Sequence, residues 1–423
     1  MRKLYLTMLP PSLLLAATLS GCGTSATPQA PTPDAHPQLA AAPTDLGAEA
    51  KDGDTPTITS EDMAFAVAGK DAASDPTSAN VRYLSLAHLQ TSGLSNEQMA
   101  TVRKATAKLL NSLSWAPALM APSAVDTGAV LLKISLPDYG WTAQTWETLA
   151  AAHPAALGSI TGLAALQQAT GTTKPIIRAD WFVANASTPP LYYALWKAPA
   201  DVAGLEAMLK LDLKADLANG QVIRAGLSKS AVSTNDRVIE RHTRPTGFLW
   251  RSFEFGSRTG TRDIFSFPLG SGGSGSAPAA QGGVLGGLLG GGAAPSNGQA
   301  AFTSDGSEFI FTLPNGMLAF YIAGGTGARL NQVPGATNTI VAGASCMGCH
   351  SKATIQASDE MRAKTKVTGD VLTAVRKLYV DAPTLSQQLN ADSTAYVVSL
   401  AKLGITPADS DPVSQVVKLV LKK

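Results

Sequence analysis

Between Gly270 and Gly298 the chain places 12 glycines in 29 residues and no aromatic side chain, a composition that cannot bury enough apolar surface to form a core. The stretch reads as a disordered surface insertion (270–298), and Val284, Leu285, Leu288 and Leu289 within it read as incidental hydrophobes of a loop. A second low-complexity stretch, from Gly23 to about Ile58, is rich in Pro, Ala, Thr and Asp and reads as a flexible tether. With these two set aside, the 39 Gly and 26 Pro are no excess, and the rest has an ordinary globular composition. At 423 residues the chain has length for two or three domain-sized units. Its 33 Lys and Arg against 31 Asp and Glu, at 15% charged residues, leave no electrostatic argument for nucleic acid or an acidic substrate.

The periodicity predicts an α+β fold. Ser95 and Gln98 form a capping-box pair ahead of Met99, Val102, Leu109, Leu110 and Leu113, whose spacing marks an amphipathic helix ending near Ser114. Residues 130–136 read as a strand stopped by Pro137. Residues 141–151, 160–169 and 202–209 read as helices, and 222–227 as a strand. Strands then dominate at 237–241, 248–255, 308–313 and 317–322, the last two joined by the turn Pro314-Asn315-Gly316. The end returns to helix: Val371, Val375 and Leu378 share one face, Tyr396, Leu400 and Leu403 another closed by Gly404, and Asp411-Pro412 opens a third. The division this suggests is 1–21 signal, 22–58 tether, 59–340 mixed α+β domain and 341–423 a short, mostly helical segment.

Arg2 and Lys3 precede an apolar run from Leu4 to Leu19 that is broken by Pro10 and Pro11 and ends in small residues before Cys22. That is the layout of an export signal, too short to remain as a spanning helix. Leu19-Ser20-Gly21-Cys22 resembles the lipobox of bacterial lipoproteins, which implies lipid on Cys22 and attachment to a membrane. Several acyl chains at about 0.8 kcal/mol per buried CH₂ anchor stably. Gly23 stands where many lipoproteins retained at the inner membrane carry Asp, which points to the outer membrane, facing the periplasm or cell surface.

Cys346-Met347-Gly348-Cys349-His350 has the CxxCH spacing of covalent haem attachment. Cysteines on adjacent turns place two sulfurs over the vinyl groups of one haem edge, and the next residue brings an imidazole beneath the iron. Cys346 and Cys349 are therefore candidate thioether positions for one haem c, and His350 the candidate proximal iron ligand. A redox dithiol, a zinc site and a plain disulfide are the alternatives. They lack, respectively, a thioredoxin-like context, a second cysteine pair and any further consequence. With Cys22 assigned to lipid, the two remaining cysteines both lie in the motif.

The segment from Ser345 to His350 is similar to the haem-binding site of bacterial cytochromes c, which implies electron transfer with an unidentified redox partner protein. The surroundings depart from the small soluble members: a β-rich stretch precedes the motif, and the only later methionine is Met361, eleven residues on. An extended chain of that length spans about 36 Å and reaches around a haem. His242, His88 and Met317 are the other distal candidates. Arg82 to Leu89, Leu110 to Trp115, Arg178 to Phe182 and Leu313 to Gly316 further resemble large, exported single-haem proteins, over most of residues 80–420. No reaction comes with that likeness. Two rivals to electron transfer are a peroxidase-like haem enzyme or small-ligand sensor with an open distal site near His88, His242 or Arg178, and a surface binding module. Arg178 and Asp180 read as an ion pair beside Trp181 and Phe182, and the Trp and Tyr residues from Trp115 to Trp196 as core and rim.

Overall fold

The computed structural model describes residues 57–154, 160, 162–230, 234–256, 263–270, 304–334, 339–406 and 410–421. The export signal, Cys22, the tether as far as residue 56, and the insertion beyond Gly270 lie outside the described residues. The fold is α+β, with two sheets among helices and a helical C-terminal segment.

Ser60 caps helix α1 (Glu61–Ser74), its side chain accepting from the Met63 amide. Ile58, at the expected end of the tether, is already fully buried. Strand β1 (Val81–Ser85) is buried at every residue, so it carries none of the alternation that marks a half-exposed strand. It pairs antiparallel with β3 (Leu131–Ser135) and parallel with β4 (Ile176–Arg178), and β2 (Ser123–Ala124) completes the four-stranded sheet beside β3. Helices α2 (Ala87–Thr91) and α3 (Asn96–Ser112) follow β1, and α3 has the reciprocal Ser95–Gln98 cap that the sequence predicts. Next come α4 (Ala143–Ala152) and α5 (Leu163–Thr170), each within three residues of its expected start, then α6 (Ala179–Ala186), α7 (Leu191–Leu195), α8 (Val202–Leu209) and α9 (Leu213–Ala218). Around Trp196 the rings of Trp115, Tyr192, Tyr193, Phe311 and Tyr321 pack at centroid distances of 5.8 to 6.3 Å.

The second sheet is an antiparallel meander in chain order: β5 (Val222–Leu227), β6 (Asp236–Arg244), β7 (Gly247–Phe255), β8 (Gly306–Thr312), β9 (Leu318–Gly324) and β10 (Arg329–Leu330). The β8–β9 turn closes through Leu313 N–H donating to Met317 O at 2.7 Å, with Gly316 at φ +83°. Strand β6 buries Arg237, Glu240, Arg241 and His242, and each has an opposite charge. On one face Arg237 donates to Glu308 at 2.7 Å and Arg241 forks onto Asp392 at 2.8 and 2.9 Å. On the other, Arg224 Nε donates to Glu240 at 2.6 Å, and His242 sits between Asp216 and Glu240.

The C-terminal segment comprises α10 (Ala344–Cys349), α11 (Met361–Lys364), α12 (Gly369–Leu378), α13 (Ala382–Lys402) and α14 (Pro412–Leu421). Helix α13 lies on the sheet through Asp392, which also accepts from Trp250 Nε1 at 2.8 Å. Helix α14 packs against α3, α6 and α10. One apolar cluster runs from Ile58 to Val417 and takes in Met347 and Ala353; a second joins Val222, Val238, Phe253, Met361, Val375 and Tyr379. No helix among the described residues is long and apolar enough to cross a membrane.

At the seat of α14, Lys108 of α3 and Asp411 form an ion pair with both side chains 1% exposed. Burial lowers the Lys108 pKa, but the Asp411 carboxylate outweighs it and the ammonium stays charged. Lys108→Met removes one partner and leaves a buried carboxylate alone, which costs about 3–5 kcal/mol. Urea denaturation of Lys108→Met should show a loss of that size, and Lys108→Met/Asp411→Asn, which removes the buried charge and keeps a capping side chain, should recover a large part of it.

Candidate functional site

Two glycines let the CxxCH segment sit where it does. Gly343, just before α10, has φ +86°, and a Cβ there would lie 2.2 Å from the Ser187 carbonyl at the end of α6. That carbonyl accepts from Ala344 N at 2.7 Å, so α10 is hooked to α6 at its first residue. Gly348, inside the motif, faces α14: a Cβ there would meet Ser414 Oγ at 2.8 Å, and this hydroxyl donates to Ala344 O. Met347 is 1% exposed and belongs to the main core. The two residues between the cysteines are thus fixed by packing, one as a core side chain and one as a helix contact.

Cys346 is a free thiol, so the two cysteines of the motif are not bonded to each other. The Cys346 Sγ lies 3.8 Å from Val341 O, and burial, with the Glu308 charge adding to it, pushes its pKa up to about 12. A redox dithiol depends on the opposite shift. Among the described residues no three His, Cys, Asp or Glu side chains converge on a point that could hold a metal ion, which is what a zinc site would require.

His350 caps the end of α10. Its Nδ1 lies 2.7 Å from the Ala353 carbonyl, and its ring is 6.0 Å from that of Phe320 on β9. Burial lowers the His350 pKa despite the Ala353 bond, so the imidazole is neutral at pH 7. A carbonyl can only accept, so the neutral ring carries its proton on Nδ1 and keeps a lone pair on Nε2. Nε2 makes no hydrogen bond among the described residues. This is the tautomer a haem-iron ligand needs, and two cysteine sulfurs with one imidazole are the donor types that hold a c-type haem. The pocket beside the motif, lined by Ser351, Leu400, Ile405, Thr406, Asp411 and Pro412 among others, has a cavity volume of about 10 Å³, the space of about one water molecule. That lies below the range of about 300–1,000 Å³ usual for small-molecule sites.

The four distal candidates are not brought together with His350. His242 has Nδ1 2.9 Å from Asp216 and Nε2 2.9 Å from Glu240 and is fully buried, so both nitrogens are committed. Met361 belongs to the second apolar cluster, where Gly226 leaves room for it. Met317 is buried in the main core at the β8–β9 turn. His88 lies at the carboxyl ends of the parallel strands β1 and β4, with Nε2 2.9 Å from Asp180 and Nδ1 3.3 Å from Glu61. Arg178 forks onto the same Asp180 at 2.8 and 3.2 Å, which makes the expected ion pair part of a four-residue chain of charges.

No family model, curated protein or solved structure matches this chain.

Sequence reasoning missed Ala353, whose carbonyl meets His350, and the contacts of Thr354 with Ser393 beside it. Ala353 acts through its backbone and Ser393 is 43 residues from the motif, so neither leaves a local signal.

The His88 chain sets a pH dependence. Burial lowers the His88 pKa, but its contacts with Asp180 and Glu61 outweigh this and raise it; both carboxylates are held below their ordinary values. The stabilisation from His88 is therefore fully present below about pH 6.5 and is lost as pH rises through the raised value. Unfolding free energies from urea denaturation of wild type and His88→Gln should differ at pH 6, by about 1 kcal/mol, and converge at alkaline pH. A gap that widens with pH would contradict the sign.

Proposed function

We propose that this chain is an exported, lipid-anchored, single-haem c-type cytochrome that transfers electrons. The observation that carries the reading is the CxxCH motif with its imidazole tied by Nδ1 to the Ala353 carbonyl, which leaves Nε2 for iron. When bound, haem supplies an iron that cycles between ferric and ferrous states. Cys346 and Cys349 would hold the macrocycle through thioethers. His350 binds the iron and Ala353 fixes its tautomer. Export and the lipid on Cys22 place the protein at a membrane facing the periplasm or cell surface, where c-type haem is attached.

A second reading, a haem enzyme or small-ligand sensor with a displaceable sixth ligand, has one observation in its favour. Both nitrogens of His242 and of His88 face carboxylates, and Met361 packs in the other apolar cluster. Of the four candidates, Met317 alone shares the core of Met347 and Ala353.

Expression with haem-attachment machinery and a reduced visible spectrum test the first claim. A c-type spectrum is expected, with haem retained under denaturation in wild type and lost in Cys346→Ser/Cys349→Ser. His350→Ala should keep the covalent macrocycle with an altered iron spectrum. Absence of haem in the matured wild type would overturn the assignment. A reduced spectrum unmoved by carbon monoxide supports the electron carrier, and a rapid shift supports the second reading.

A further inference from the structure

The orientation of His350 is governed from outside the motif. Ala353, whose carbonyl accepts from His350 Nδ1, is fully buried and has φ +72°. That is the left-handed region, which costs an L-residue with a Cβ roughly 1–2 kcal/mol. Such a conformation persists where neighbouring contacts over-determine it, and the next residue supplies them. Thr354 N–H donates to Ser393 Oγ at 3.3 Å, Thr354 Oγ1 donates to Leu389 O at 2.8 Å, and the two hydroxyls lie 2.7 Å apart. Leu389 and Ser393 are one turn apart on α13. The same helix is fixed to the six-stranded sheet by Asp392, which accepts from Arg241 and Trp250.

We infer that Thr354 and Ser393 form a clamp that holds Ala353 in its left-handed conformation and thereby sets the tautomer and aim of the His350 imidazole. They are positioning residues, acting on the iron ligand through one backbone carbonyl. The chain of contacts runs from the sheet through Asp392 to α13, from Ser393 to Thr354, and from Ala353 to His350 Nδ1. The inference rests on the haem reading for its purpose, but the clamp is measurable without haem. A proximal imidazole whose Nδ1–H is firmly hydrogen-bonded is a more basic ligand, which strengthens the iron–histidine bond and favours ferric iron.

The first measurement is the ¹⁵N shifts of the His350 ring in haem-free full-length protein. Wild type should show one neutral tautomer, protonated on Nδ1. Thr354→Val, which keeps the shape and removes the hydroxyl, should populate both tautomers. Thr354→Ser should restore the wild-type pattern, and Ala353→Gly, which relieves the backbone while keeping the carbonyl, should retain it. In the haem-loaded protein, Thr354→Val should lower the ferrous iron–histidine stretching frequency and raise the midpoint potential relative to wild type and Thr354→Ser. An unchanged tautomer and stretching frequency in a folded Thr354→Val would overturn the clamp. Should that variant not fold, Ser393→Ala decides by the same two readouts. A wild type that never takes haem would defeat the functional reading and leave the tautomer result to judge the clamp alone.

Discussion

Lys108 and Asp411 meet where water is excluded, 303 positions apart in the chain, and much of the molecule depends on their doing so. An ammonium buried without a counter-charge would cost several kcal/mol, so α3 and the start of α14 tolerate burial only together. Asp411 has a second task, accepting from Ser414 N at 3.1 Å to cap α14. Once seated, α14 is the wall that α10 rests on, with Gly348 against Ser414. The CxxCH motif thus has no platform until residues near position 108 and residues near 411 have packed, and the candidate site belongs to the whole chain.

The same logic explains how a chain with only 15% charged residues places so many of them inside. Strand β6 puts Arg237 and Arg241 on one face and Glu240 and His242 on the other, following the two-residue period of a strand. Arg241 then requires Asp392 of α13, while His242 requires Asp216 of α9. Each buried charge selects the element that covers it, which fixes how helices lie on the sheet more strictly than apolar contact would. For Asp392 the consequence extends to the site, because the next residue of α13 is Ser393.

Much of the secondary structure was legible because its signals are local. The Ser95–Gln98 cap, the Pro314-Asn315-Gly316 turn and the Asp411-Pro412 helix start each involve residues within four positions of one another, and all three appear as expected. Helix α1 and strand β1 were not legible. Strand β1 is buried on both faces and so lacks alternation, and α1 has its apolar residues spread with many small alanines. At the site, the identity and spacing of Cys346, Cys349 and His350 were readable, whereas Met361, a distal candidate by reach, packs in the second apolar cluster. That carboxylates face both nitrogens of His88 and of His242 was not readable, because Glu61, Asp180 and Asp216 are brought by other elements.

By itself the sequence determined the α+β class, the positions of the main helices and strands, and the chemistry the CxxCH spacing permits, since each of these follows from neighbours in the chain. The tertiary structure decided which nitrogen of His350 carries its proton, which histidines and methionines are committed elsewhere, and which charges are buried in pairs. Those outcomes turn on contacts between residues tens to hundreds of positions apart: His350 with a strained Ala353, Thr354 with Ser393, Lys108 with Asp411. Such pairings exist only after packing has excluded water, when an unpartnered polar group becomes costly enough to choose its partner.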